Sequence, residues 1–268
     1  MLWSGAASES IPFDPRRGLV EVEVTINGMA KGTFGIDTGA DALYIDRDFA
    51  GENGLKIREL GKEKYVTGIA GSALAAEVDI RSLRIGKEET LYNLSAIALD
   101  MDQLSVERGW KPPDGLIGFD VLRRFYVTVN YPDATMELIS HEPDFLTDNS
   151  EFVSVPFEQD GHLVLVEVDF GDGVVAPMIF DYCASLTTIS YELADRLGVD
   201  YSESDRVLID EMSLGPEIWQ SDVQALVTDH GAFGKGMSDA DIEGILGASF
   251  LYRWGITVDY KRRRIYVH

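Results

Sequence analysis

A chain of 268 residues with 45% apolar composition can bury a core as one large domain or as two modest ones. Its 46 acidic against 23 basic residues give a net charge of −23, which repels phosphate backbones and anionic lipid surfaces and argues against a nucleic-acid partner. The single cysteine, Cys183, excludes an internal disulfide and a cysteine-rich zinc site, and His141, His162, His230 and His268 are too scattered for a ligand cluster, so no structural metal is expected.

In chain order, residues 1–10 read as a tail without the basic start and apolar stretch of a signal peptide. Val20, Val22 and Val24 alternate with glutamates as in a half-buried strand that ends at the turn Asn27-Gly28. Phe34 and Ile36 lead into Asp37-Thr38-Gly39, so a strand delivers a carboxylate into a tight turn. Tyr65 to Ser72 carries two glycines, Gly68 and Gly71, in a β-context and predicts a hairpin. Gly115-Leu116-Ile117-Gly118 lies between strands, and a short helix is expected over 120–125. Segment 141–153 is polar, contains a proline and reads as a connection. The pattern then repeats: Leu163 to Val168 as a strand, a turn at Gly171-Asp172-Gly173, and Met178-Ile179-Phe180 leading into Asp181-Tyr182-Cys183. A helix is predicted from Ser190, a capping residue, to Leu197 before Gly198, and another over 249–253. No apolar run approaches the roughly 18 residues that span a bilayer, so no membrane insertion is expected.

The repetition keeps register. Ile11-Pro12-Phe13 returns 144 residues later as Val155-Pro156-Phe157, and Asp37 returns as Asp181, a match over some 35 positions. Further on, Asp114-Gly115-Leu116-Ile117-Gly118 matches Glu243-Gly244-Ile245-Leu246-Gly247 and Val127–Tyr131 matches Ile256–Tyr260, now 129 residues apart. The second copy has therefore lost about fifteen residues in between. A repeat of this length is no solenoid period; it predicts an all-β protein of two similar lobes, about 11–140 and 154–268, facing each other across a cleft.

Taken alone, an Asp-Thr-Gly triplet reads as a β-turn whose side chain bonds its own backbone. Paired with a Gly-apolar-apolar-Gly segment in both copies, the run closely resembles aspartic peptidases of the retropepsin and pepsin type. From Ile11 through Gly-Leu-Ile-Gly-Phe-Asp-Val-Leu-Arg-Arg-Phe to Asn130-Tyr131 it looks like the bacterial retropepsin-like aspartyl protease family. The resemblance implies a bilobal acid-protease fold with Asp37 and Asp181 as a catalytic pair at the lobe interface, holding a water and sharing one proton. It further implies a cross-lobe hydrogen bond from Thr38, a close turn at Gly39, and a flap at Gly68, Ile69, Ala70 and Gly71 over an extended peptide or unfolded protein substrate. No cofactor is implied, and one chain with its internal pseudo-dimer suffices as a monomer. Relatives of this kind are commonly exported, which implies a periplasmic or secreted enzyme whose leader is absent from this chain; a cytoplasmic one is equally compatible with the lack of disulfides.

The second copy departs from the pattern. Tyr182 stands where threonine or serine is expected; too large for the same compact bond, it is placed at the substrate site with a phenol that could reach another acceptor. Cys183 stands where glycine is expected, so the turn must relax or already sit at negative φ. A thiol mechanism is disfavoured, since neighbouring carboxylates raise a thiol pKa and no histidine lies nearby in sequence. The stretch matching the flap, Leu208 to Gly215, lacks its glycine spacing, so one flap is expected. Two readings follow: an endopeptidase with an altered site, or a pseudoprotease that binds peptides, in which restoring Thr and Gly at 182 and 183 creates activity. Asp239 to Phe250 opens like a calcium loop but lacks the twelfth glutamate, and Lys261 to Arg264 reads as a solvated hairpin turn. Phosphate-binding and serine-nucleophile motifs are absent.

Overall fold

A computed structural model describes residues 9–60, 65–68, 71–104, 111–141, 152–229 and 241–268. The chain is mostly β and forms two lobes joined by one shared sheet. The expected connection, 141–153, lies largely outside the described residues; its last residue opens the strand Val153–Pro156.

In the first half, Glu21–Ile26 pairs with Ala30–Ile36, and a sheet runs on through Gly115–Ile117, Tyr44–Asp46, Glu89–Leu99 and Ala76–Ile85. Pairing of Ala76–Ile85 back onto Glu21–Ile26 closes these six strands into a barrel. The alternation read from the sequence is the barrel wall: Val20, Val22 and Val24 are buried while Glu23 faces solvent. The second half repeats the construction with Leu163–Asp169, Val175–Phe180, Gly244–Leu246, Thr187–Ile189, Trp219–Val227 and Arg206–Ser213, closed between Arg206–Ser213 and Leu163–Asp169.

Between the barrels, each half gives three strands to a six-stranded sheet, with Phe125–Asn130 antiparallel to Gly255–Asp259 at its centre. Here Thr128 pairs with Thr257, its own counterpart in the duplication, and their hydroxyls are 2.8 Å apart in a buried hydrogen bond. An antiparallel pair of equivalent residues is what a two-fold axis produces. The axis therefore passes through this pair.

Short helices sit where both copies have them. Tyr191–Leu197 is capped by the Ser190 hydroxyl on the Leu193 N–H and stopped by Gly198 at φ 67°, as expected. Its first-half counterpart, Arg47–Glu52, is capped by Asp46 on the Phe49 N–H and was not foreseen, because its apolar pattern is only Phe49-Ala50. The helices expected over 120–125 and 249–253 are shorter, Phe119–Leu122 and Ala248–Leu251.

The hairpin is present as paired strands Tyr65–Gly68 and Gly71–Leu74. Ala73 and Val66 pack on Tyr44, Leu99 and Met101 and seat it on the first barrel wall. Leu208 to Gly215 is not its counterpart. Those residues belong largely to Arg206–Ser213, the barrel-closing strand equivalent to Ala76–Ile85, and residues 190–205 hold a helix and no strand. The missing residues thus fall between the helix and the barrel-closing strand and take the hairpin with them, a place that the uniform offset of 144 conceals.

Candidate active site

Both aspartates stand immediately after a barrel strand, where two chain segments hold each of them from below. The Asp37 N–H donates to the Ile117 carbonyl at 3.0 Å, and the Asp181 N–H donates to the Leu246 carbonyl at 3.1 Å. In each turn the carboxylate accepts from the backbone two residues on: Gly39 N–H to Asp37 Oδ1 at 2.9 Å, Cys183 N–H to Asp181 Oδ1 at 2.8 Å. Local hydrogen bonding therefore fixes both side chains alike, as in the Asx-type turns expected from such triplets.

The two turns meet at the lobe interface. A Cβ placed on Gly39 would lie 3.3 Å from Asp37 Oδ1 and 3.4 Å from Asp181 Oδ2, so both carboxylates converge on this residue. Thr38, fully buried, donates its hydroxyl proton to the Phe180 carbonyl at 2.8 Å and accepts from the Tyr182 N–H at 3.2 Å. One side chain of the first lobe thus satisfies two backbone groups of the second.

The family-model match falls on the same two barrels, covering residues 22–121 and 166–250 with a model described as aspartyl protease. The chain belongs to the aspartyl protease family. Among solved structures it is similar to the aspartic proteinase from Irpex lacteus, with a TM-score of 0.64 and 13% identity over 97% of each chain, a likeness of fold. No curated protein gave a match.

Against the family pattern, the altered second triplet is accommodated rather than strained. Tyr182 was expected beside the substrate, but it is fully buried. Its ring lies 5.0 Å from that of Phe180, and its hydroxyl donates at 3.0 Å to the Ile256 carbonyl in the shared sheet. The phenol has found another acceptor by turning into the core, away from the cleft, so Tyr182 cannot touch a peptide. Thr38 likewise acts through the backbone and has no exposed surface for a substrate. Cys183 and Gly39 are both absent from the positive-φ positions, so the extra Cβ of Cys183 meets no backbone penalty. Its sulfur lies over Gly35, 3.1 Å from where a Cβ there would sit. Burial, then the Asp37 and Asp181 charges, push the thiol well up, which leaves it protonated and a poor nucleophile.

Of the flap residues, Gly68 and Gly71 pair with each other; Ile69 and Ala70 lie outside the described residues. The Gly-apolar-apolar-Gly segments support the turns from behind. A Cβ on Gly118 would meet the Ala42 carbonyl oxygen at 2.3 Å and that of Ala40 at 2.7 Å; on Gly247 it would meet those of Leu186 and Ala184 at 2.6 and 2.7 Å. Gly118→Ala or Gly247→Ala must push out the segment carrying an aspartate. Each is expected to cost about 1–3 kcal/mol by overpacking and to lower kcat/KM, read from urea unfolding and peptide hydrolysis.

One contact was invisible in the sequence. His162 Nε2 lies 3.0 Å from the Gly39 carbonyl oxygen, reaching from the second lobe to the first-lobe turn. The 144-residue offset maps His162 onto Gly18, whose own Cβ position would lie 3.1 Å from Ser185 in the second-lobe turn. Nothing local in the sequence marks either position.

Electrostatically the pair opposes full ionisation. Burial, then the charge of Asp181, raises Asp37 well above the usual carboxylate range, and burial pushes Asp181 up to about 6. Two desolvated carboxylates that converge in this way oppose loss of the second proton. Such a pair can supply a base and an acid at once. Among the described residues no cluster of His, Cys, Asp and Glu is suited to a metal ion, and no helix is long and apolar enough to cross a membrane.

Proposed function

We propose that this protein is an aspartic endopeptidase that cuts unfolded or extended peptide segments, with Asp37 and Asp181 as its catalytic pair. The observation that carries the reading is the convergence of both carboxylates on Gly39, with Tyr182 turned into the core. Ionised Asp181 takes a proton from a water as the water oxygen attacks the scissile carbonyl carbon. Protonated Asp37 gives its proton to the carbonyl oxygen, forming a neutral tetrahedral diol. As the C–N bond breaks, the proton held by Asp181 passes to the leaving amine and Asp37 recovers one from the diol, restoring the starting state. Thr38 and Gly39 hold the two turns in place, and the Gly68–Gly71 hairpin covers the peptide from the first lobe. An extended substrate pairs its main chain with the cleft edges.

Digestion of a denatured protein, with the fragments read by mass spectrometry, tests this reading against the peptide-binding alternative. New amino termini are expected; peptide binding without turnover at any pH would establish the alternative. The pH dependence has a definite sign. Because Asp181 must be ionised, kcat/KM is expected to fall about tenfold per pH unit below about 6, and to fall again at higher pH where the raised Asp37 loses its proton. A rate that holds level from pH 6 down to pH 3 would contradict the assignment of Asp181 as base.

A further inference from the structure

The two turns that carry the aspartates are covered differently by the opposite lobes. His162 covers the Gly39 turn of the first lobe, whereas the equivalent place beside the Ser185 turn of the second lobe holds Gly18. The space left is a cavity of about 490 Å³ that begins four residues past Asp181, at Ser185, and runs along the strand Trp219–Val227.

That strand contributes Gln220, Asp222 and Gln224 to the cavity lining. Gln220 is 4% exposed, and its amide nitrogen is committed to the Ser249 carbonyl at 3.2 Å; its Oε1 has no partner among the described residues. Tyr131, 5% exposed, lines the same cavity with a hydroxyl that is also unpartnered among them. Both atoms lie behind the cavity wall with almost no accessible surface, so the polar groups that face an entering ligand are the exposed side chains of Asp222 and Gln224. Asp222 adds a carboxylate and is held at φ 54°, a left-handed conformation rare for a strand residue.

Among the described residues no cationic side chain lines the cavity. The nearest guanidinium groups are engaged elsewhere: Arg16 with Asp14, Arg17 with Glu21, and Arg253 against the ring and hydroxyl of Tyr252. A group entering here meets amide and carboxylate acceptors in a protein of net charge −23. We propose that this cavity is a specificity pocket for a basic side chain, lysine or arginine, of the peptide substrate, with Asp222 and Gln224 as the residues that select it. The proposal rests on the peptidase reading and adds a substrate class to it.

The test uses fluorogenic peptides identical except at one position, scanned residue by residue on both sides of the cleaved bond, carrying Lys, Gln, Leu or Glu. At one position, Lys is expected to raise kcat/KM about tenfold over Leu and further over Glu, the size of a charge-assisted hydrogen bond. In Asp222→Lys, which alters an exposed side chain and leaves the core untouched, the ratio is expected to invert in favour of Glu. Indifference to Lys at every position, persistence of the preference in Asp222→Lys, or stronger selection of Gln than of Lys would overturn the proposal. If no peptide is cut, the peptidase reading fails and the pocket is judged by fluorescence anisotropy with the same peptides. Tighter binding of a Lys peptide than a Leu peptide, lost in Asp222→Lys, upholds the pocket, and equal binding ends it.

Discussion

Asp37→Asn and Asp181→Asn are each expected to lower kcat/KM on an unfolded protein by about 10²–10⁴-fold or more, because each removes one half of a paired acid and base. Asparagine has nearly the same shape, and its oxygen can still accept the Gly39 or Cys183 N–H, so the fold is expected to persist. Stability moves the opposite way for a reason rooted in protonation. Asp181 has a folded-state pKa of about 6, above the ordinary value of 3.8, so between about pH 4 and 6 the folded state binds more protons than the unfolded one. Stability contributed by this group is present below the unfolded pKa and is lost as pH rises through the folded one. At pH 7 the ionised, buried carboxylate is a burden of roughly 2–3 kcal/mol. Asp181→Asn is therefore expected to be more stable than the wild type at pH 7 and to lose that advantage near pH 4, read by denaturant unfolding at both values. Activity surviving either substitution would sink the shared pair, and an unchanged pH 7 stability would show that Asp181 is not desolvated as described.

Tyr182→Thr combined with Cys183→Gly restores the family triplet on paper but is expected to damage the protein. Tyr182 is fully buried against Phe180 and anchors to the Ile256 carbonyl, so replacement by threonine leaves a large cavity and an unpaired acceptor. Large-to-small changes of this kind cost about 3–5 kcal/mol, the aromatic-to-alanine range, and the orphaned carbonyl adds to it. Tyr182→Phe, which keeps the volume and removes only the hydroxyl, is expected to cost about 1–3 kcal/mol. The expected readout is a fall in the denaturant midpoint for both, several-fold larger for the double variant, with no gain in activity. A stable, more active double variant would mean that the second triplet has decayed; the packing instead identifies an alternative solution. On the first lobe's side, Thr38 serves two backbone groups of the second, and on the second lobe's side Tyr182 reaches the shared sheet.

Much of the architecture is legible in the residues because it depends on local periodicity and on duplication. Alternation at Val20, Val22 and Val24 gives the barrel wall, and the 129-residue offset places Thr128 opposite Thr257 on the axis. The glycines at 118 and 247 announce a close backbone approach, since a Cβ there would collide with carbonyl oxygens. Even the missing hairpin registers as a change of offset, though its position needed the strand pairing.

What the sequence by itself determined was therefore the duplicated β-fold and the two aspartates at matching turns, because strand period, turn chemistry and repeat register act over a few residues or through copied ones. Only the tertiary structure decided where Tyr182 points, that Gly35 makes room for the Cys183 sulfur, that His162 reaches the Gly39 turn, and that Asp222 and Gln224 face an open pocket. Each of these depends on contact between chain segments tens to more than a hundred residues apart, and packing at such separations leaves no periodic trace in the residues that make it.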